Sequence, residues 1–466
     1  MVNTTATPHV DPYPSQNIAW YLLGILVIAN VLSFVDRQIL VLLVQPLRQD
    51  LHISDTEISL LQGFAFTILY SMLGLPLGRY ADRHNRRNLI VFGVAVWSLM
   101  TMACGFAQTL GQLFVARIGV GIGEATLAPA AYSMICDAFR PQKRGTALGV
   151  YSSAIFLGIG VSVVLGGLVM ALIHGAAEVT LPFVGIVRSW QAAFLCVGAP
   201  GLLIALLILT VAEPSRHAAP GSRPEGPTLT DALHYLAQHR AAFTLQLLGY
   251  SCIALAAYGL GSWMPTFFIR VHHWSASQAG IYYGLCVAIF GTLGGILGGV
   301  LSDRWIAAGR RDARLLLSVI GALCWIPLIV GTVYAPSAGV ALASIAVGVG
   351  FSSFVNGLGP TTVHDIVPGW LRGQATALFF FVINFLGLGI GPTAVALVTD
   401  HVFGSDLALR HSIPLVAIPA IVLGIALLLA ARGAYRRAVA ALDGSPSGER
   451  REAPVREIGL LKEETS

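Results

Sequence analysis

Asp36 and Arg37 stand side by side in an apolar run from Ile18 to Pro46, and a bilayer crossing takes ~20 such residues. An ionisable side chain in such a run is costly and usually serves the passage of an ion or solute. A second apolar run holds Arg117 and Glu124. Asp36 lies 18 residues beyond Ile18, ~27 Å along a helix. Glu124 lies 15 residues from Phe139, or ~22 Å, so the two acids share a depth if their helices are neighbours. A carboxylate balanced between burial and a nearby guanidinium can bind and release a proton as its surroundings open and close. Asp36 and Glu124 are therefore the candidate proton carriers of a charge-coupled transport process. The structural alternative is a permanent ion pair of either acid with Arg37 or Arg117.

Arg37 and Arg117 also suit an anionic head group, because guanidinium meets phosphate or carboxylate in a fork. Neutralising the acids is the competing role for both. Arg117 and Glu124 are seven residues apart, on one face of a helix. Asn30 and Ser33 precede Arg37 by seven and four residues and form a polar stripe expected to line a cavity.

The elements that position these residues follow from composition. The chain has 466 residues, 55% hydrophobic and 11% charged, with a mean hydropathy of +0.74. Soluble domains carry about 25% charge, so this is a polytopic membrane protein. Apolar stretches begin near Ile18, Glu57, Leu89, Gly111, Thr146, Trp190, Ala242, Gln278, Leu315, Ala338, Thr376 and Ile413. Backbone polar groups must be satisfied internally in hydrocarbon, which makes these spans helices. The 51 glycines fit backbones that approach closely in a tight bundle. The expected fold is all-α and integral to the membrane, with twelve transmembrane helices in two six-helix bundles.

Basic residues collect in alternate loops, while the intervening ones hold only Arg48, Arg188, Arg270 and Arg410. Positive loops stay inside, so both termini are expected in the cytoplasm. Residues 1–17 contain no Lys or Arg, which argues against a cleaved signal segment and for a retained first span. The expected organisation is a tail over 1–17, bundles over 18–212 and 241–432, a linker over 213–240, and a tail over 433–466. The charge of +5 forms no basic stripe, which excludes nucleic acid as a partner. The six cysteines lie in apolar runs without metal-ligand spacing and read as small buried packing residues. His364-Asp365 reads as a solvated helix end. No metal or cofactor is expected, and protons are the expected coupling ion.

The two halves are copies. Ser54, Gly63, Gly74, Gly78, Asp82 and Arg83 recur as Ser275, Gly284, Gly295, Gly299, Asp303 and Arg304, each 221 positions later. Arg144-Gly145 recurs as Arg372-Gly373 at an offset of 228. Paired six-helix halves mark secondary transporters that rock around a central site.

The segment Gly78 to Arg87 (GRYADRHNRR) resembles the loop signature between the second and third helices of the major facilitator superfamily, with Asn85 replacing a common glycine. Asn30–Arg37, Arg117–Ala125 and Trp263–Arg270 resemble its spinster branch. That resemblance implies neighbouring first and fourth helices and alternating access. It also implies a latch closing the cytoplasmic side, with Asp82 against a neighbouring helix N-terminus. Gly78, Arg83, Arg86, Arg87, Arg144, Asp303, Arg304 and Arg372 would complete the latch. Animal spinster proteins are associated with proton-linked movement of lysophospholipids or phosphorylated sphingoid lipids. Gly158 and Gly166-Gly167 partly resemble a fifth-helix motif of drug antiporters, but Ser162-Val163 replaces its central Gly-Pro, so the direction of coupling stays open. Twenty-six arginines against two lysines point to a bacterial gene and an inner membrane.

The expected activity is proton-coupled movement of an amphipathic, lipid-like or organic-anion solute by a monomer bathed in membrane lipids. Uptake of a small carboxylate anchored on Arg37 is the alternative within that class. A membrane enzyme is disfavoured because no His/Asp/Glu cluster lies at a membrane face and no Gly-rich phosphate loop is present. A channel is disfavoured by the duplicated latch.

Overall fold

The computed structural model describes residues 13–172, 178–181, 184–216, 235–368 and 371–443. Within them it describes all side chains except those of Leu75, Asp82, Pro141, Gln142, Gly145, residues 152–156, Leu181 and Gly373. The outer parts of both expected tails and the centre of the linker lie outside these residues. Eleven helical stretches among the described residues are long and apolar enough to cross a membrane, and the helix Pro141–Leu172 completes the twelve.

The first span is Gln16–Leu42, followed by the short helix Val44–Leu51. The second is broken at Gly63 into Asp55–Gln62 and Phe64–Arg83. The third is Arg86–Cys104, and the fourth, bent after Glu124, runs Leu110–Glu124 and Leu127–Ala138. Pro141–Leu172 is the fifth and Ser189–Leu209 the sixth. A hairpin of β1 (Glu178–Leu181) and β2 (Gly185–Arg188) joins these two. The second half has Arg240–His272 as the seventh span. The eighth is Ala276–Cys286 and Thr292–Ala307 around a π-turn at Val287–Gly291. The ninth and tenth are Ala313–Val333 and Ala338–Asp365. The eleventh runs from Arg372 through a π-turn at Asn384–Leu388 to Phe403. The twelfth is Leu409–Asp443, so Gly433–Asp443 continues a helix into the segment expected as a tail. An even number of spans puts Gln16 and Asp443 at one end of the bundle, called the near end below; the loops after odd-numbered spans form the far end.

Local chemistry explains where spans start and how they pack. Ser54 and Glu57 form a reciprocal capping box at the start of the second span, and Ser275 and Gln278 repeat it at the eighth. Such caps satisfy amides that a helix start leaves unbonded. The shift from an offset of 221 to one of 228 reflects seven extra residues in the loop after Arg304. At the larger offset, Trp97 and Trp325 fill equivalent interior positions of the third and ninth spans. Outside, Phe92, Leu203, Leu206 and Leu423 are exposed, the inverse of a water-soluble surface and the pattern of a lipid-facing one. Cys104 is buried as expected, whereas Cys196 and Cys324 lie on the outer surface, because both ride helices that are apolar all round.

The halves meet through small residues. A Cβ at Gly160 would lie 2.2 Å from the Ala288 amide nitrogen, and one at Gly280 would lie 2.6 Å from the Gly167 Cα. Real Cβ contacts are never so short, so only glycine lets the fifth and eighth spans meet in their far halves. Gly63 does the same for the second and eleventh, with Leu388 O 2.2 Å from its absent Cβ.

Candidate functional site

Adjacent residues on a helix point ~100° apart, and Asp36 and Arg37 accordingly face different neighbours. Arg37 ion-pairs with Glu124. Its guanidinium carbon lies 4.2 Å from the Phe66 ring centre and 5.2 Å from those of Phe34 and Tyr70. Tyr258 of the seventh span lies within electrostatic reach of the same group and donates to Asn384 Oδ1 at 3.1 Å. Asn384 begins the π-turn of the eleventh span, and such turns often mark functional positions in helices. Arg37 therefore stands where both halves meet, ringed by aromatics.

Asp36 turns into the first half beside Trp97 and Thr101 of the third span, without a well-formed hydrogen bond to either. Arg117 reaches it by donating from Nη1 to the Asp36 main-chain carbonyl at 3.0 Å. Asp36 Oδ1, Glu124 Oε1 and both Nε and Nη2 of Arg117 are buried without hydrogen-bond partners. Buried polar atoms are normally paired, and with Arg37 Nε these make five orphans in one cluster. Two acids and two bases make the cluster neutral as drawn. One added proton would leave it with a net charge, in a medium where charge is costly.

Glycines let the helices around the cluster approach closely. A Cβ at Gly121 would sit 2.5 Å from Phe66 O, and one at Gly123 would sit 2.6 Å from Gly93 O. The alternating glycines beside Glu124 thus draw the second and third spans against the fourth. Gly158 lies against Phe34 and Val31 of the first span, and Gly166 against Leu42 and Ile39, which assigns that part of the fifth-helix motif to packing on the first span.

The structure brings Asp36, Arg37, Arg117 and Glu124 together, and the ion pair it selects is Arg37–Glu124. Asn30 and Ser33 are buried, at 9% and 4% exposure, and Ser33 lies beside Glu124. The stripe is packed inside the first half rather than open to a cavity, because the fourth and fifth spans cover that face of the first.

The Asp82 side chain lies outside the described residues. Among the described side chains, Glu213 stands at the N-terminus of the third span, where its carboxylate accepts from the amides of Arg86 (3.2 Å) and Arg87 (2.8 Å). Arg86 is buried and pairs with Asp137 and Glu213, also donating to Ser133 Oγ (2.9 Å) and Pro214 O (2.7 Å). Arg87 reaches Leu209 O and Val211 O. Arg216 donates to Ala81 O (2.8 Å) and His84 O (2.5 Å), so the start of the linker is fastened to the loop between the second and third spans. A Cβ at Gly78 would lie 3.8 Å from Pro129 Cβ, an ordinary contact. Arg83, Arg304 and Arg372 are exposed, and Arg144 is half-buried. Asp303 lies 3.7 Å from Arg314 of its own half.

A repeat that the sequence reading missed appears here. Arg314 pairs with Asp365 as Arg86 pairs with Asp137, both pairs related by the 228-residue offset. Asp365, expected in solvent, is buried and also accepts from the Tyr435 hydroxyl at 2.6 Å. His364 bonds Thr376 at 2.7 Å. Each half locks its own near end by this device. The offset of Arg144 and Arg372 was the available signal, had it been extended to all charged residues nearby.

The profile of the Major Facilitator Superfamily matches residues 26–392. An MFS-type efflux pump of Mycolicibacterium smegmatis is 29% identical over 84% of this chain and 87% of its own. Protein spinster of Drosophila melanogaster is 26% identical over 67% of this chain, which spans half of that longer protein. The crystal structure of a bacterial homolog to the human lysosomal transporter spinster, inward-facing and unoccupied, superposes with a TM-score of 0.74 at 26% identity. It covers 93% of this chain and 100% of that one.

Proposed function

The chain belongs to the Major Facilitator Superfamily and is spinster-like, and from that premise we propose a proton-coupled, alternating-access transporter of an amphipathic, lipid-like or organic-anion solute. The near end faces the cytoplasm of a bacterium in this reading, with both termini inside, and the monomer is the working unit. The carrying observation is the buried cluster in which Arg37, paired with Glu124, stands between the halves while Asp36 and Arg117 keep unpaired atoms behind it.

A proton on Glu124 removes the negative partner of Arg37 and frees its guanidinium for an anionic head group. Binding free energies are reciprocal, so an anion on Arg37 in turn favours the proton on Glu124, and the two travel together. Exchange requires the opposite sign, with a neutral or cationic group seated against Glu124 and displacing the proton. The aromatic ring of Phe34, Phe66, Tyr70 and Tyr258 supplies apolar surface for the remainder of an amphipathic cargo. The test is gradient-driven uptake in proteoliposomes, with cargo chosen by thermal stabilisation across lysolipids, sphingoid bases, drugs and carboxylates. Accumulation that ignores the pH gradient removes the proton from the reading. Chemical turnover of a labelled lipid would replace the transporter with an enzyme.

A further inference from the structure

Trp97 and Thr101 stand one turn apart on the third span and lie beside the Asp36 carboxylate. Both are fully buried, at 0% exposure, and neither Trp97 Nε1 nor Thr101 Oγ1 has a hydrogen-bond partner. A buried threonine in a helix often turns its hydroxyl back to a carbonyl of the preceding turn. Thr332 does so to Leu328 O at 2.7 Å, and Thr399 to Val395 O at 2.9 Å. Thr101 makes no such bond. Its neighbour Ser98 turns to the sixth span, where a Cβ at Gly201 would lie 2.0 Å from Ser98 Oγ.

The second half supplies an internal comparison. At the 228-residue offset Trp97 recurs as Trp325, which is equally buried and also has Nε1 unpaired. Packing accounts for a tryptophan in both copies. The hydroxyl does not recur: Ile329 holds the place of Thr101 and Ile345 that of Arg117, while at 221 Ala257 holds that of Asp36. Thr101 therefore accompanies the charges rather than the fold.

Trp97 Nε1 and Thr101 Oγ1 extend the set of unpaired atoms formed by Asp36 Oδ1, Glu124 Oε1 and Arg117 Nε and Nη2. The ionised acids offer only acceptors, the guanidinium and indole only donors, and the hydroxyl both. A single water donates twice and accepts twice, so it can bond both acids and two of the donors together. Buried waters commonly make about three such bonds to otherwise unsatisfied groups. Glu124 and Arg117 of the fourth span and Cys104 of the third lie within electrostatic reach of Asp36, and Arg37 beside it turns to Glu124.

We propose that Thr101 and Arg117, beside the Trp97 indole, hold a water between Asp36 and Glu124, and that a proton passes between the two acids through it. The O–H bond of one carboxyl breaks as the water takes that proton. An O–H bond of the water breaks as the other carboxylate receives its own, so the water is regenerated and no charge leaves the cluster. Thr101 is a positioning residue for this transfer. The proton step rests on the proton-coupled reading above, whereas the water does not.

The experiment is X-ray radiolytic footprinting of the intact chain in nanodiscs. Radiolysis splits water into hydroxyl radicals that oxidise what they touch, so a buried side chain is labelled where water is bound. Trp97 is expected to be oxidised an order of magnitude faster than Trp325, although both are closed to bulk solvent. Thr101→Val should bring Trp97 down to the Trp325 rate. It should also move the pH midpoint of gradient-driven uptake upward by ~1 pH unit, the loss of one hydrogen bond serving a carboxylate. Thr101→Ser keeps the hydroxyl and should restore both. Equal, slow oxidation of Trp97 and Trp325 in the parent, which needs no variant to fold, overturns the proposal and leaves the proton-coupled reading standing. A labelled Trp97 in a transporter that ignores pH keeps the water and removes the proton step together with that reading. A Thr101→Val protein that melts early with an unmoved midpoint overturns the positioning role.

Discussion

Glu124→Gln and Asp36→Asn remove the same charge from the same cluster, yet the geometry predicts unequal costs. Glu124 is the ion-pair partner of Arg37, so its neutralisation leaves a guanidinium with no opposing charge. Removing one member of a buried pair costs ~3–5 kcal/mol. The glutamine carbonyl still accepts a hydrogen bond, which returns ~1 kcal/mol, and the rings around Arg37 are unchanged. The expected loss is therefore ~2–4 kcal/mol. At Asp36 the Arg117 bond ends on the main-chain carbonyl, which asparagine keeps, and Oδ1 already lacks a partner. That substitution breaks no direct ion pair but still leaves one buried base of the cluster without a counter-charge, so it should destabilise measurably and by less than Glu124→Gln. Denaturant unfolding of both variants in the same nanodiscs measures the difference. Gradient-driven uptake, normalised to folded protein, should fail in the variant whose acid carries the proton. Equal destabilisation of the two would refute the pairing from which the costs were worked. Full gradient dependence in both would leave the cluster as scaffold.

Arg86→Met strips charge partners from Asp137 and Glu213 together and should lower stability by ~3–5 kcal/mol. Arg314→Met should cost less, because Arg314 is 20% exposed where Arg86 is 1%; thermal unfolding of the pair ranks them. Gly121→Ala would place a methyl 2.5 Å from Phe66 O, forcing the second and fourth spans apart at ~1–3 kcal/mol. Unchanged melting of that variant would mean the close approach is absent. Cysteines introduced at positions 85 and 106 of a cysteine-free chain test orientation: an impermeant reagent outside intact cells should label only position 106.

The spans were legible because hydrocarbon imposes one rule on every one of them. The expected start at Leu315 falls two residues from the observed Ala313, and that at Thr146, the least accurate, five from Pro141. Asp36, Arg37, Arg117 and Glu124 were legible for the same reason, since charge in an apolar run stands out. Which acid meets which base was not, because it depends on the rotation of the first span against the fourth. Phe66, Tyr70, Tyr258 and Asn384 carry no such contrast and were hidden among ordinary membrane residues. Asp55 and Arg270 form a buried ion pair across 215 positions, and each taken alone looks like a loop charge.

At an offset of 221, Tyr258 holds the place of Arg37, and at 228, Ile345 and Ser352 hold those of Arg117 and Glu124. Duplication left one copy carrying the ionic chemistry and the other free of it. On the proposed reading, a substitution at Tyr258 or Asn384 changes the wall facing Arg37 without altering the acids opposite. On that reading the second copy can vary at this wall while the charged residues of the first copy stay as they are.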